Sequence, residues 1–101
     1  YDQPGEKEMQ FWYSATNAHV IDLKGMANCN PGQPPVARTY SSADYTIDID
    51  YSIFDYGTTN GKMSEAEVVV TDNGDGTYTY DAKFTYNGQK YAFVYTGAFP
   101  Q

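Results

Sequence analysis

Glu65-Ala66-Glu67-Val68-Val69-Val70-Thr71-Asp72, then Asn73-Gly74-Asp75, then Gly76-Thr77-Tyr78-Thr79-Tyr80-Asp81-Ala82-Lys83-Phe84-Thr85-Tyr86, then Asn87-Gly88, then Gln89-Lys90-Tyr91-Ala92-Phe93-Val94-Tyr95-Thr96-Gly97 form the stretch that decides the fold. Runs rich in Val, Thr, Tyr and Phe alternate with short Asn/Gly/Asp groups, the pattern of strand, turn, strand, turn, strand. At Asn87-Gly88 both central residues of a two-residue turn need positive φ, which Asn and Gly tolerate. A type I′ hairpin there sets Tyr86 opposite Gln89, Phe84 opposite Tyr91, Ala82 opposite Phe93 and Tyr80 opposite Tyr95. At the earlier turn, a three-residue Asn73-Gly74-Asp75 loop with Gly76 supplying left-handed freedom sets Val70 opposite Tyr78 and Val68 opposite Tyr80. Val68, Val70, Tyr78, Tyr80, Phe84, Tyr91, Phe93 and Tyr95 then share one face. The other face is Thr- and charge-rich, interrupted only by Val69, Ala92 and Val94. A slip of one residue would expose the aromatic set, so burial fixes the pairing.

A sheet with one apolar face needs a second layer. The run Tyr45-Thr46-Ile47-Asp48-Ile49-Asp50-Tyr51-Ser52-Ile53 alternates without a fault and predicts a strand with Tyr45, Ile47, Ile49, Tyr51 and Ile53 on a dry face. Further strands are expected over Met9 to Ala15, over His19 to Leu23 and, as a short edge, over Val36 to Tyr40. Met26 to Pro35 holds three prolines and reads as a loop, and Phe54 to Ser64 as a linker. No helix start is followed by sustained 3.6-residue periodicity. The expectation is an all-β antiparallel domain, a β-sandwich or a flattened small barrel, over residues 9–99, preceded by a flexible arm over residues 1–8.

Composition bounds the function. The chain has 101 residues, enough for one core, and 17% aromatic residues, carried mostly by 11 Tyr. Six Lys and Arg against 13 Asp and Glu give a formal charge of -7, which repels nucleic acid and anionic lipid. No run of ~18 apolar residues is long enough for a membrane-spanning segment. The lack of an initiator Met and of a basic-then-apolar leader reads as a mature or trimmed chain. Cys29 is the only cysteine, so no disulfide forms within the chain, and it reads as a small apolar filler rather than a reactive thiol.

No motif points to catalysis, a metal or a cofactor. His19 is the single histidine and stands without a Gly-x-Ser-x-Gly elbow, a His-Glu-x-x-His pair or a Cys-His spacing, so it reads as structural. Asp72-Asn73-Gly74-Asp75-Gly76 superficially suits calcium, but aligning Gly76 to the loop glycine puts Ala82 where a bidentate Glu is needed. Asp48 and Asp50 point the same way from the expected strand. With Asp44 or Asp55 they could hold a cation or flank a glycosidic bond, against the plainer reading of a solvated acidic face. Trp12, beside Tyr13, has the planar surface that sugar-stacking sites use, against the plainer reading of a core residue. Trp12, Tyr13, Asp48 and Asp50 are therefore the candidate ligand-binding residues.

The segment from Ala66 to Tyr80, followed by Asn87-Gly88 and by Tyr95-Thr96-Gly97-Ala98-Phe99, resembles the closing strands of β-rich domains in secreted and lipid-anchored surface proteins of Bacteroidetes. The resemblance implies a secreted, periplasmic or cell-surface setting beside glycan acquisition or adhesion, and transfers no catalytic residue. The resulting expectation is a non-catalytic module that recognises a glycan or a surface protein. Its rival is a structural stalk or self-assembling subunit.

Overall fold

The computed structural model describes residues 6–12, 18–24, 33–56 and 59–98. Tyr13, Cys29, residues 1–5 of the expected arm and residues 26–32 of the proline-rich loop lie outside the described residues. The described residues form eight strands: β1 (Lys7–Trp12), β2 (Ala18–Leu23), β3 (Thr39–Ser41), β4 (Ile53–Tyr56), β5 (Thr59–Lys62), β6 (Glu65–Asp72), β7 (Thr77–Tyr86) and β8 (Gln89–Ala98). They form two antiparallel four-stranded sheets, ordered β1-β2-β4-β5 and β3-β6-β7-β8. This is a sandwich, not a closed barrel, and β6-β7-β8 is the expected meander.

The β7–β8 hairpin has the register that its turn demands. Asn87 and Gly88 take φ of 51° and 78°, and Tyr86 pairs with Gln89, Phe84 with Tyr91, Ala82 with Phe93 and Tyr80 with Tyr95. The β6–β7 register corrects the sequence reading, because Val70 pairs with Tyr80 and Val68 with Ala82. The last pair is Asp72 with Tyr78, which leaves five residues, Asn73 to Thr77, between them rather than three. The Asp72 carboxylate accepts from Gly74 N at 2.9 Å, Asp75 accepts from Thr77 N at 3.0 Å, and Asn73 N donates to Thr77 O at 3.1 Å. These side-chain bonds hold a wider turn than the backbone alone would choose. The slip is of two residues, so the faces do not exchange: Val68, Val70, Tyr80 and Phe84 are buried and Tyr78, Tyr91 and Phe93 partly so, but Tyr95, expected on the dry face, is 46% exposed.

The expected strand from Tyr45 to Ile53 does not form. Two 3-10 turns, Ser42–Asp44 and Ile49–Tyr51, flank a single bridge between Ile47 and Leu23. Asp44 accepts from Thr46 N at 3.1 Å and Asp48 from Asp50 N at 3.2 Å, so carboxylates capture the donors that a ladder would use. Tyr45 is left-handed at φ 64°. Of the supposed dry face only Ile47 is buried, while Tyr45 and Tyr51 are 77% and 67% exposed. Ser52, buried, ties this segment to β2 by accepting from Asp22 N at 3.2 Å and donating to Asp48 O at 2.9 Å.

Three smaller corrections follow. The expected linker after Phe54 contains the β4–β5 hairpin, with Phe54 opposite Gly61. The edge strand expected over residues 36–40 lies at Thr39–Ser41, paired with β6, and Tyr40 donates its hydroxyl to Val36 O. β1 runs from Lys7, which is buried, to Trp12, so it starts two residues before the strand expected from Met9.

The sheets meet through aromatic rings, and their strands cross. Along β7, Tyr86 stacks on Phe54 of β4 at 4.4 Å, Phe84 lies 5.1 Å from His19 of β2, and Tyr80 lies 5.8 Å from Phe11 of β1. Along β8, Tyr91 lies 5.0 Å from Phe54, and Phe93 lies 4.7 Å from Phe11. Strands β7 and β8 thus each pass over β4, β2 and β1 in turn. At one corner the edge strands β1 and β8 face each other across the sandwich, with the Phe11 and Phe93 rings in contact between them.

Candidate functional site

The gap between β1 and β8 is a cleft of about 690 Å³. That volume is within the ~300–1,000 Å³ typical of ligand sites. Met9, Gln10, Phe11 and Trp12 of β1 form one wall, and Tyr91 to Tyr95 of β8 form the other. His19, Phe54, Tyr80 and Phe84 form the floor. Alternation builds the β1 wall. Met9 and Phe11 face the other sheet, while Trp12 takes the opposite face, is 59% exposed and reaches the cleft at its rim.

His19 has a role in this floor. Its ring stacks on Phe54 at 5.0 Å, and its Nδ1 accepts from Asp55 N at 3.3 Å. Burial lowers its pKa below the usual histidine value, against the opposing pull of Asp55. The neutral ring therefore acts as one more aromatic plate. Tyr80 is 1% exposed, and its hydroxyl has no hydrogen-bond partner among the described residues. Burial, with Tyr78 and Tyr95 nearby, pushes its pKa up to about 12, so it stays protonated and able to donate.

The sequence candidates do not converge. Trp12 belongs to the cleft, and Tyr13 lies outside the described residues. Asp48 and Asp50 are elsewhere. Asp48 N donates to Asp22 O at 2.8 Å, beside Leu23, which pairs with Lys7; Trp12 pairs with Ala18 at the other end of β1. Asp48 caps the turn from Ile49 to Tyr51 and lies 3.9 Å from Lys24 Nζ, while Asp50 is exposed. Near them, Asp22 has its pKa raised to about 6 by burial, and then by repulsion from Asp48, Glu6 and Glu8. Among the described residues no group of three or more His, Cys, Asp or Glu side chains is placed to hold a metal ion.

Sequence reasoning missed Phe11, Phe93 and Tyr80 as site residues because all three carry the signal of a core. What makes them a site is that β1 and β8 come together at one corner of the sandwich and line a cleft there, which no pattern along the chain reports. A second, shallower depression of about 390 Å³ crosses the outer face of the meander, among Glu65, Glu67, Lys83 and Lys90. No helix among the described residues is long and apolar enough to cross a membrane.

Compared with protein-family models, with curated proteins and with solved structures, the chain matches none.

Proposed function

We propose that this domain is a non-catalytic recognition module, and that its ligand is a polypeptide segment seated in the β1–β8 cleft. The observation that carries this reading is an aromatic cleft, open between two edge strands, whose polar groups are few. Gln10, His19, the Trp12 indole N–H and the hydroxyls of Tyr80, Tyr91 and Tyr95 are its polar side-chain groups, and among the described residues no carboxylate or cationic side chain lines it. His19 Nδ1 is engaged by Asp55 N, and the Tyr91 hydroxyl donates to Gln89. A sugar ring that stacks on Trp12 still needs partners for its hydroxyls, whereas apolar side chains need mainly the area that this cleft offers. A secreted or surface setting, suggested by the resemblance of the last strands, is part of the same reading. Self-assembly is disfavoured because every copy carries the formal charge of -7.

Trp12 is the only tryptophan, so its fluorescence reports on the cleft directly. The test is a titration with an alternating leucine–lysine octapeptide and, separately, with a neutral hexasaccharide. The expected result is a saturable emission change with the peptide alone. A change with the saccharide alone would replace the polypeptide by a glycan, and no change with either would remove the cleft as the site.

A further inference from the structure

We infer that the partner binds as an added β-strand on the free edge of β8, extending the β3-β6-β7-β8 sheet across the mouth of the cleft. This inference rests on the recognition reading above and names the mode of binding.

The hairpin fixes which backbone groups are free. In a two-residue hairpin the closing pair, here Tyr86 and Gln89, exchanges both hydrogen bonds, and pairs then alternate between bonded and non-bonded. Tyr91, Phe93 and Tyr95 therefore direct N–H and C=O at β7. Ala92, Val94 and Thr96 direct theirs away from the sheet, and among the described residues those groups have no partner. The same alternation turns the Tyr91 and Phe93 rings toward the other sheet. A strand laid along this edge would gain main-chain bonds from one set of residues and place alternate side chains over the cleft beside the other set.

Edge strands are normally guarded, and three of the four here are. β3 has three residues and β5 has four, too short to template a partner. β1 turns the charge of Lys7 inward. β8 has ten residues in unbroken register, without proline, bulge or inward charge, and Val94 is 65% exposed. A long regular edge with apolar exposure is the form that accepts another strand. Charge selects the occupant. Lys90 is the only charged residue of β8, so the edge itself is nearly neutral, whereas the formal charge of the chain is -7. A second copy would bring the same charge, while an extended segment alternating apolar with basic residues would complement it.

The test compares the octapeptide's affinity for the native protein and for Val94→Pro. Proline at that position removes a donor only from the free edge, where strands tolerate it. Ala92→Pro provides an independent variant should the first fold poorly, and circular dichroism checks each fold. The reciprocal probe is the peptide methylated on alternate backbone nitrogens, with an alternating serine–lysine octapeptide as the control for charge alone. Strand addition predicts an affinity loss of about tenfold or more for the proline variants and for the methylated peptide. A Trp12 emission change that survives both would overturn strand addition and leave the cleft reading standing. No saturable binding of the octapeptide, or equal binding of the serine–lysine control, would overturn both. Sedimentation of the free protein as a dimer, lost in Val94→Pro, would assign the edge to a second copy instead.

Discussion

Phe11 on β1 and Phe93 on β8 meet with ring centroids 4.7 Å apart and planes inclined at 58°, joining the edge strand of one sheet to the edge strand of the other. Phe93 also lies 6.1 Å from both His19 and Phe84, so removing its ring loosens contacts to β1, β2 and β7 together. Because Phe93 is half-buried, Phe93→Ala should cost about 2–3 kcal/mol, below the range for a fully buried ring, and Phe93→Leu under ~1.5 kcal/mol. Urea unfolding midpoints at constant slope measure both. Equal losses for the two variants would mean that ring volume at this corner is not what matters.

Tyr45 gives a prediction of opposite sign to the one its sequence pattern suggests. Its side chain is 77% exposed and its backbone is left-handed at φ 64°, a conformation that is costly for a residue with a Cβ. Tyr45→Gly should raise stability by ~0.5–1 kcal/mol, read from the denaturation midpoint. A strand residue on a dry face would instead lose stability.

Ser52 holds the turn segment to β2 through two hydrogen bonds, made to Asp22 N and Asp48 O, and is fully buried. Ser52→Ala leaves both backbone groups without that partner and should cost ~1–3 kcal/mol. Amide exchange at Asp22 should accelerate more than exchange along β7. Uniform acceleration across the domain would show that Ser52 has no local role.

These residues explain what was legible in the sequence. The β7–β8 register could be read because the backbone of Asn87-Gly88 permits one turn geometry, and the faces did not exchange even where the β6–β7 register slipped by two. The segment from Tyr45 to Ile53 misled because its alternation is real, but Asp48 within it and Asp44 just before it bond the backbone N–H two residues on. The pairs Asp44-x-Thr46 and Asp48-x-Asp50 were the available signal. β5 has almost no apolar content in Thr-Asn-Gly-Lys, and pairing with β4 decides its state. Trp12 was recognisable as a candidate from its chemistry. The rest of the cleft arises from the crossing of two sheets, and crossing angle is not encoded in any local period.

Two groups make stability depend on pH in opposite directions. The folded-state pKa of Asp22 is raised from 3.8 to about 6, so the folded protein binds the extra proton between those values. Its contribution is fully present below pH 3.8 and is lost as pH rises through about 6. His19 is lowered from 6.5, so its contribution is present above 6.5 and is lost as pH falls through the folded value. Asp22→Asn should therefore stabilise at pH 7.5 relative to the native chain, by about 1 kcal/mol after allowing for the solvent that reaches a half-exposed carboxylate, and should lose that advantage at pH 4. Thermal midpoints at the two pH values decide it, and an unchanged difference would place the raised proton affinity elsewhere.

The central claim is that the open edge of β8, with the cleft beside it, receives an extended strand. Amide hydrogen exchange followed residue by residue in β8, with and without the alternating leucine–lysine octapeptide, tests it most directly. In the free protein, Tyr91, Phe93 and Tyr95 should exchange slowly and Ala92, Val94 and Thr96 fast, because only the first set donates to β7. With the peptide bound, the second set should become protected and the alternation should disappear. Saturating peptide that leaves Ala92, Val94 and Thr96 as fast as before would contradict the claim.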